Sequence, residues 1–544
     1  MKPNRYMLTK LEKKELRADL FRHLDGVVTA PVMAALAQGG VLAYLLKHQS
    51  CEIGELSKEF SANEGYLNVA LRVLCSQGWL EQQVDNEKNE VRYKLNQHSA
   101  IAFELAWIYD DVFDLLKFSE RFHPRKFEKE PFEVLVKIFK KYRDSFNLPK
   151  SDDPAEQLIQ QQMLRHVEGI LVGPTVVHLG MSGMFHKYFM EASFRPEEFH
   201  ADADSFTQLL KMFAHFGWFE EYEGTFRFTE KGLFYAKRAS AYGVTVSYIP
   251  TFRKMEELLF GNPLVLQTSG PDETELHVDR TMNVWGSGGA HAAYFKVIDE
   301  AVIELFNRPI QEQPMGIMDM GCGNGAFIQH LFDVIESQTL RGKMLDEHPL
   351  FLVGADYNEA ALKITRGHLI QADIWAKVIW GDIGDPERLA TDLKELYGIH
   401  LNDLLNVRTF LDHNRPWNAP QSLTNRLSTS GGAFASKGKR LSNNAVEDSL
   451  LEHLQKWKPY VQRFGLLVIE LHTIAPDIAA RHIGESAATA YDATHGFSDQ
   501  YIVELDVFRK VAEEAGLHSD KRFFRKFPDS EAATISINLL KGQV

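Results

Sequence analysis

A chain of 544 residues with 44% hydrophobic and 25% charged content has the make-up of a soluble globular protein of roughly two to four domains. Its net charge of −14 argues against a nucleic-acid partner, which would require a basic face. The three cysteines, Cys51, Cys75 and Cys322, lie far apart, so no disulfide framework is indicated and a reducing, cytoplasmic setting is expected.

The charged N-terminus, with Lys10, Glu12, Lys13, Lys14 and Glu15, is not a signal peptide. Val27 to Leu46 carries no charge and is about long enough to span a bilayer. It also contains Pro31, Gln38 and the pair Gly39-Gly40, and no stop-transfer flank follows, so a buried helical hairpin is expected and no membrane partner. The first half then repeats itself. Leu71 to Glu81, with Gly78-Trp79, matches Leu210 to Glu220, with Gly217-Trp218. Each copy is preceded by an uncharged small-residue helix, around Thr29-Ala-Pro31 and Val172-Gly-Pro174, and followed by a strand pair ending at Val91–Leu95 or Thr225–Thr229. A helix stopped by glycine, an anchoring Trp and a two-stranded wing is the pattern of a winged helix. Glu55 and Glu59 near one candidate recognition helix, and Asp202 and Asp204 near the other, speak against DNA.

The expected organisation is a winged-helix-like repeat over 1–100, a helical connector over 101–165, a second repeat over 166–267, a linker over 268–280 and an α/β domain over 281–544. The connector carries Phe113, Phe118, Phe122, Phe127, Phe132 and Phe139, helical spacing at Val134, Leu135, Ile138 and Phe139, and breaks at Pro124, Pro131 and Pro149. Asn283 to His291 is read as a glycine-rich segment leading into a helix over Tyr294–Phe306, with Gly288, Gly289 and His291 facing a cofactor or acceptor.

The chain is organised around Gly316-Ile-Met-Asp319-Met-Gly321-Cys-Gly323-Asn-Gly325-Ala326-Phe327: a buried strand, a glycine turn and a helix. Such a turn lets backbone approach a ligand closely, and the helix N-terminus adds free N–H groups and a positive dipole end. The loose G-x-G-x-x-G/A pattern alone fits a dinucleotide enzyme too, but the next acid comes late for that fold, at Asp356 after Leu350–Ala355. Asp319-x-Gly321-Cys-Gly323-x-Gly325, then Asp356, then Trp380-Gly-Asp382-Ile383 together resemble the class I S-adenosylmethionine (SAM) methyltransferases. The resemblance implies a Rossmann-like seven-stranded domain. It also implies a SAM site at Asp319, Gly321, Gly323, Gly325, Asp356, Asp382 and Ile383, with Asp356 on the ribose and Asp382 on the adenine. It implies further that the winged-helix region serves dimerisation and covers the substrate, so a homodimer is expected.

A fourth strand over His400–Val407 leads into Arg408-Thr-Phe-Leu-Asp412-His413-Asn-Arg415, where an acceptor should lie. The small, polar, basic insert over 421–445 is expected to be a mobile loop or lid, its Lys437, Lys439 and Arg440 attracting an anionic acceptor or carrier. The fifth strand, Gly465–His472, ends on a histidine, and Tyr491 to Tyr501 adds His495, Asp499 and Gln500, which are suitable types for mixed N and O ligands. These segments resemble the metal-dependent C-methyltransferase modules of polyketide loading regions. That resemblance implies an Fe or Mn ion held by His472 and Gln500, and a malonyl-type thioester, free or on an acyl carrier protein, as acceptor. His472, Arg408, Asp412 and His413 are then the expected catalytic residues. Two other readings compete: a metal-free O-methyltransferase with His413 or His472 as general base, and a winged-helix regulator that senses SAM.

Overall fold

The computed structural model describes residues 7–117, 129–268 and 275–542, with the side chains of 289–293 left aside. Phe118, Phe122, Pro124 and Phe127 of the connector, residues 269–274 of the 268–280 linker, and the side-chain roles expected of Gly289 and His291 therefore lie outside the described residues.

Helix α1 spans Lys10–Gln38 and opens on a capping box in which Thr9 and Glu12 satisfy each other's backbone N–H groups. It is the one described helix long and apolar enough to cross a membrane, and 83% of that window is buried inside the protein. Strand β1 (Ser50–Glu52), helix α2 (Glu64–Ser76) and strands β2 (Glu81–Asp85) and β3 (Glu90–Lys94) follow. At Gly78 the backbone takes φ +77, which releases the chain from α2 and drops Trp79 into the core. Helix α3 (Pro154–Met181), helix α4 (Ala203–His215) and strands β4 (Phe219–Tyr222) and β5 (Thr225–Phe228) come next, and Trp218 is buried as Trp79 is.

α1 and α3 cross at very close range. A Cβ on Gly26 would stand 2.3 Å from His166 Cα, and a Cβ on Gly169 would stand 2.3 Å from His23 O. Helix α5 (Ser240–Ser247) then packs on α6 (Arg280–Phe306). The expected glycine-rich loop over 283–291 is instead the first turns of α6, capped by Asp279 accepting from the Met282 N–H. Its glycine content has a packing cause: a Cβ on Gly286 would lie 2.6 Å from the Gly243 carbonyl carbon of α5.

The C-terminal region is a mixed α/β sheet. It contains β6 (Gly316–Met320), helix α7 (Ala326–Gln338), β7 (Phe351–Asp356), β8 (Lys377–Trp380) and β9 (Leu404–Thr409). After these come a hairpin of β10 (Phe434–Ser436) and β11 (Lys439–Leu441), helix α8 (Asn443–Val461), β12 (Leu466–Leu471), helix α9 (Ala488–Gly496), β13 (Leu517–Ser519), β14 (Arg525–Phe527) and β15 (Ile535–Gly542). The order is β13-β15-β12-β9-β6-β7-β8, with β14 also on β15. The expected seven strands are eight among the described residues, because two short strands share β15. β6 to β9 and β12 run parallel, and β15 returns antiparallel to β12. The buried β6 (Ile317, Met318, Asp319) is covered on both faces, as parallel strands require. Chain order reverses between β6 and β9, and a ligand in such a sheet binds at that switch point, beyond the strands' carboxyl ends.

Candidate active site

Asp319 is the penultimate residue of the buried β6, and Gly321, Gly323 and Gly325 turn the chain over its tip. Gly321 has φ +82, and a Cβ there would come within 2.9 Å of Leu411 Cδ2, so only glycine fits. At Gly323 a Cβ would meet nothing nearer than Gly321 O at 3.9 Å, so this face of the turn is open. The Gly323 N–H donates to Asp356 Oδ2 at 3.1 Å, tying the turn to the end of β7. Asp319 is 1% exposed and its Oδ1 has no partner among the described residues. Burial, with Asp356 adding repulsion, pushes its carboxyl up to about 8. Burial likewise raises Asp356, against the pull of its backbone donors and of Arg280. Asp382 Oδ1 accepts from the Gly384 N–H at 2.7 Å, and the buried Ile383 offers its carbonyl to Trp457 Nε1 at 2.7 Å. An orphaned buried carboxylate oxygen beside an open glycine cradle fits a cationic, nucleoside-bearing guest such as SAM.

Leu411 leads from the glycine turn to the second half of the site. His413 sits on the turn Asp412–Asn414, 6% exposed, with Nδ1 2.5 Å from Glu470 Oε1. A carboxylate only accepts, so His413 Nδ1 donates; in the neutral imidazole this tautomer makes Nε2 the acceptor. No described residue pairs with that Nε2. Glu470 is itself held by the N–H groups of Asp412 (2.9 Å) and Leu471 (2.7 Å). The His413 ring meets His495 edge to face, centroids 4.9 Å apart. His495 Nδ1 donates to Tyr491 O at 2.8 Å, and burial first, then His413, lowers it to about 3, so it is neutral at neutral pH.

Three sequence expectations end up elsewhere. Arg408 and Asp412 do not line a mouth: they are 0% and 1% exposed, paired at 2.5 Å, with the Arg408 guanidinium 3.9 Å over the Trp457 ring of α8. His453 Nε2 also reaches Asp412 Oδ1 at 2.8 Å. Burial alone would raise Asp412; Arg408 and His453 outweigh it and hold the carboxyl well below its usual range. The pair braces the turn carrying His413. His472 ends β12 as expected, but its ring turns into the core. Nδ1 lies 3.1 Å from Val503 O and Nε2 2.7 Å from Ser536 Oγ. The carbonyl can only accept, so Nδ1 donates and Nε2 takes the serine proton; neither nitrogen is left for a metal or a substrate. Its expected partner Gln500 donates to Tyr248 Oη at 3.3 Å. Among the described residues no group of three or more His, Cys, Asp or Glu is placed to hold a metal ion. The His472–Gln500 pair therefore does not fit the expected ion.

The insert over 421–445 is a strap rather than a loose lid. Asn86 Nδ2 donates to Ser428 O and Ser430 O, both at 2.9 Å, Gly65 N–H donates to Gly438 O at 2.8 Å, and Arg440 reaches Glu64 and Asn89. Of its basic residues Arg440 is engaged in these contacts, and Asp499 accepts from the backbone N–H of Lys437. Sequence reasoning passed over Glu470, Tyr248, Arg280 and Arg72. Glu470 had a signal: a lone acid inside the apolar run Leu466–Leu471 must have a buried partner.

Residues 275–538 match the family model of the AprA MT2-like methyltransferase domain, 168–262 that of the AprA winged helix domain and 16–82 that of the AprA N-terminal domain. No curated protein matches the chain. Among solved structures, the mitomycin 7-O-methyltransferase MmcR aligns at 11% identity over 71% of this chain and 100% of that one, TM-score 0.41. An O-methyltransferase family protein from Burkholderia thailandensis aligns at 10% identity over 68% and 94%, TM-score 0.39. The CurJ carbon methyltransferase aligns at 12% identity over 79% and 100%, TM-score 0.33.

Proposed function

Starting from a chain that is a SAM-dependent methyltransferase, we propose that it methylates a small-molecule or carrier-bound acyl acceptor of natural-product assembly, with His413 as the general base and Glu470 aligning it. The observation that carries this reading is the buried His413–Glu470 contact of 2.5 Å, two residues beyond the side chain that touches the glycine turn. SAM, when bound, supplies an electrophilic methyl group for in-line displacement. Asp319, Gly321, Gly323 and Gly325 would hold its amino-acid part, Asp356 its ribose, and Asp382 and Ile383 its adenine.

The chain's own work is proton removal and exclusion of water. Glu470 fixes the His413 tautomer with Nε2 as acceptor, so an acidic O–H or an enolisable C–H set against Nε2 loses its proton there. The imidazolium so formed stays beside the carboxylate, which stabilises it. A positioned base of this kind contributes about 10²–10⁴-fold. His495, neutral and with Nδ1 committed to Tyr491 O, can only accept at Nε2, and so orients a donor on the acceptor. The metal-assisted reading loses its expected ligand, since both His472 nitrogens are engaged. The test is a screen of chelator-treated enzyme against phenolic acceptors and malonyl-type thioesters. Methylation that survives metal removal fits this reading; methylation abolished by the chelator and restored by Fe or Mn overturns it.

A further inference from the structure

We infer that the chain contains its own dimer partner: residues 10–94 and 154–228 are two copies of one module, paired about an internal pseudo-twofold axis. The first copy, which has no catalytic domain of its own, is the fixed wall on the acceptor side of the second copy's catalytic domain. Matching sequence comes first. His23-Leu-Asp25-Gly26 followed five residues on by Pro31 is mirrored by His166-Val-Glu168-Gly169 and Pro174. Both prolines lie inside their helices, α1 and α3. α2 and α4 have the same 13-residue length and lead to the same Gly-Trp and strand pair.

The contacts are reciprocal, which is the mark of an isologous interface, where i meets j and j meets i. Gly26 packs on the His166 backbone and Gly169 on the His23 backbone, each with room for no Cβ. His23 Nδ1 meets Tyr242 Oη at 2.8 Å, and His166 Nδ1 meets Tyr109 Oη at 2.8 Å. Each histidine thus crosses to the tyrosine that follows the other copy's strand pair. A twofold surface satisfied within one chain is closed to a second chain, so this pairing takes the place of the homodimer expected from the sequence.

Among the positions at which the two copies differ, Arg72 and Lys211 correspond. Lys211 of the second is a solvent-facing residue, its side chain 56% exposed. Its counterpart Arg72 of the first is buried, and all five of its N–H groups are spent. They go to Asp492 (3.0 Å), Gln82 (2.8 Å), Gly431 O (2.5 Å), Thr473 (2.9 Å) and Ile474 O (2.6 Å). Tyr66 Oη donates to Asp499 at 3.0 Å, and a Cβ on Gly496 would lie 2.7 Å from Val69 of α2. The first copy thereby holds the strap, α9 with His495, and the turn after it that leads to Gln500. Its placement on the acceptor side rests on the role given to His413 and His495 above; the pairing does not.

The test uses the full chain. Light scattering should return a monomer of 62.0 kDa, and Tyr109→Phe and Tyr242→Phe should lower the melting temperature by matched amounts. Arg72→Lys, which installs the second copy's residue, should raise hydrogen exchange in 428–436 and 488–500 while leaving exchange in 316–330 and the SAM affinity unchanged. Lys211→Ala should alter neither segment. Where Arg72→Lys fails to fold, Tyr66→Phe, which removes one bond to Asp499, should raise exchange in 488–500 alone. A stable dimer, unmatched tyrosine variants, or unchanged exchange in 488–500 overturns the inference. None of these readouts depends on catalysis, and loss of the His413 role would show separately in turnover.

Discussion

Replacing Glu470 by glutamine changes one atom and tests the catalytic dyad without changing its volume. The carboxylate accepts from three donors, His413 Nδ1, the Asp412 N–H and the Leu471 N–H. A carboxamide accepts through one oxygen only. If that oxygen keeps His413 and Leu471, the NH₂ faces the Asp412 N–H; the other rotamer turns it on His413 and selects the wrong tautomer. One buried donor is left unsatisfied either way, at a cost of about 1–3 kcal/mol in stability. The imidazolium loses its counter-charge, so the general-base share of about 10²–10⁴-fold should vanish from kcat. The assay is methyl transfer from SAM at saturating acceptor, with calorimetric SAM affinity as the control. A Glu470→Gln enzyme that is folded and retains kcat within about threefold of wild type would refute the dyad, since that loss lies far below the range for a lost general base.

Asp356→Ala should weaken SAM binding by at least about tenfold, on the order of one lost charge-assisted hydrogen bond at 1.4 kcal/mol or more; calorimetry giving wild-type affinity in a folded variant would remove Asp356 from the pocket. Asp319 is protonated below about 8 in the free protein, and a bound cation favours its carboxylate. SAM affinity should therefore rise with pH, by up to about tenfold per unit, and level off above pH 8. A flat pH profile in buffers of differing ionisation enthalpy would contradict this. His472→Ala should lower stability by about 1–3 kcal/mol through the orphaned Ser536 and Val503 groups and leave SAM affinity and metal content unchanged. Loss of a bound metal in that variant, by elemental analysis, would restore the ligand role expected from the sequence.

The glycine turn and the places of Asp319 in β6, Asp356 at the end of β7 and Asp382 just after β8 were legible because they are set locally: a strand end, a turn and a helix start occupy consecutive residues. The two Gly-Trp turns were legible because in each a glycine follows directly on a helix. His472 was misjudged because the end of a strand says where a residue lies, not which way its ring turns; that is decided by Val503, 31 residues on, and Ser536, 64 residues on. Arg408 and Asp412 looked like pocket residues from their density of charge, yet Trp457 and His453 of α8 draw them inward. The insert read as mobile from its small, polar and basic residues, but Glu64 of α2 and Asn86 between β2 and β3, far away in sequence, pin it down. The start of α6 was placed late because its glycines signal a loop unless one knows that α5 passes 2.6 Å from where a side chain would be.

The measurement that bears most directly on the account is single-turnover transfer of a labelled methyl group from SAM in wild type and His413→Gln, from preparations with equal SAM affinity. The account predicts that the variant binds SAM normally and transfers the methyl group at least about 10²-fold more slowly. Transfer at the wild-type rate would contradict it and move the proton-accepting role away from the His413–Glu470 pair.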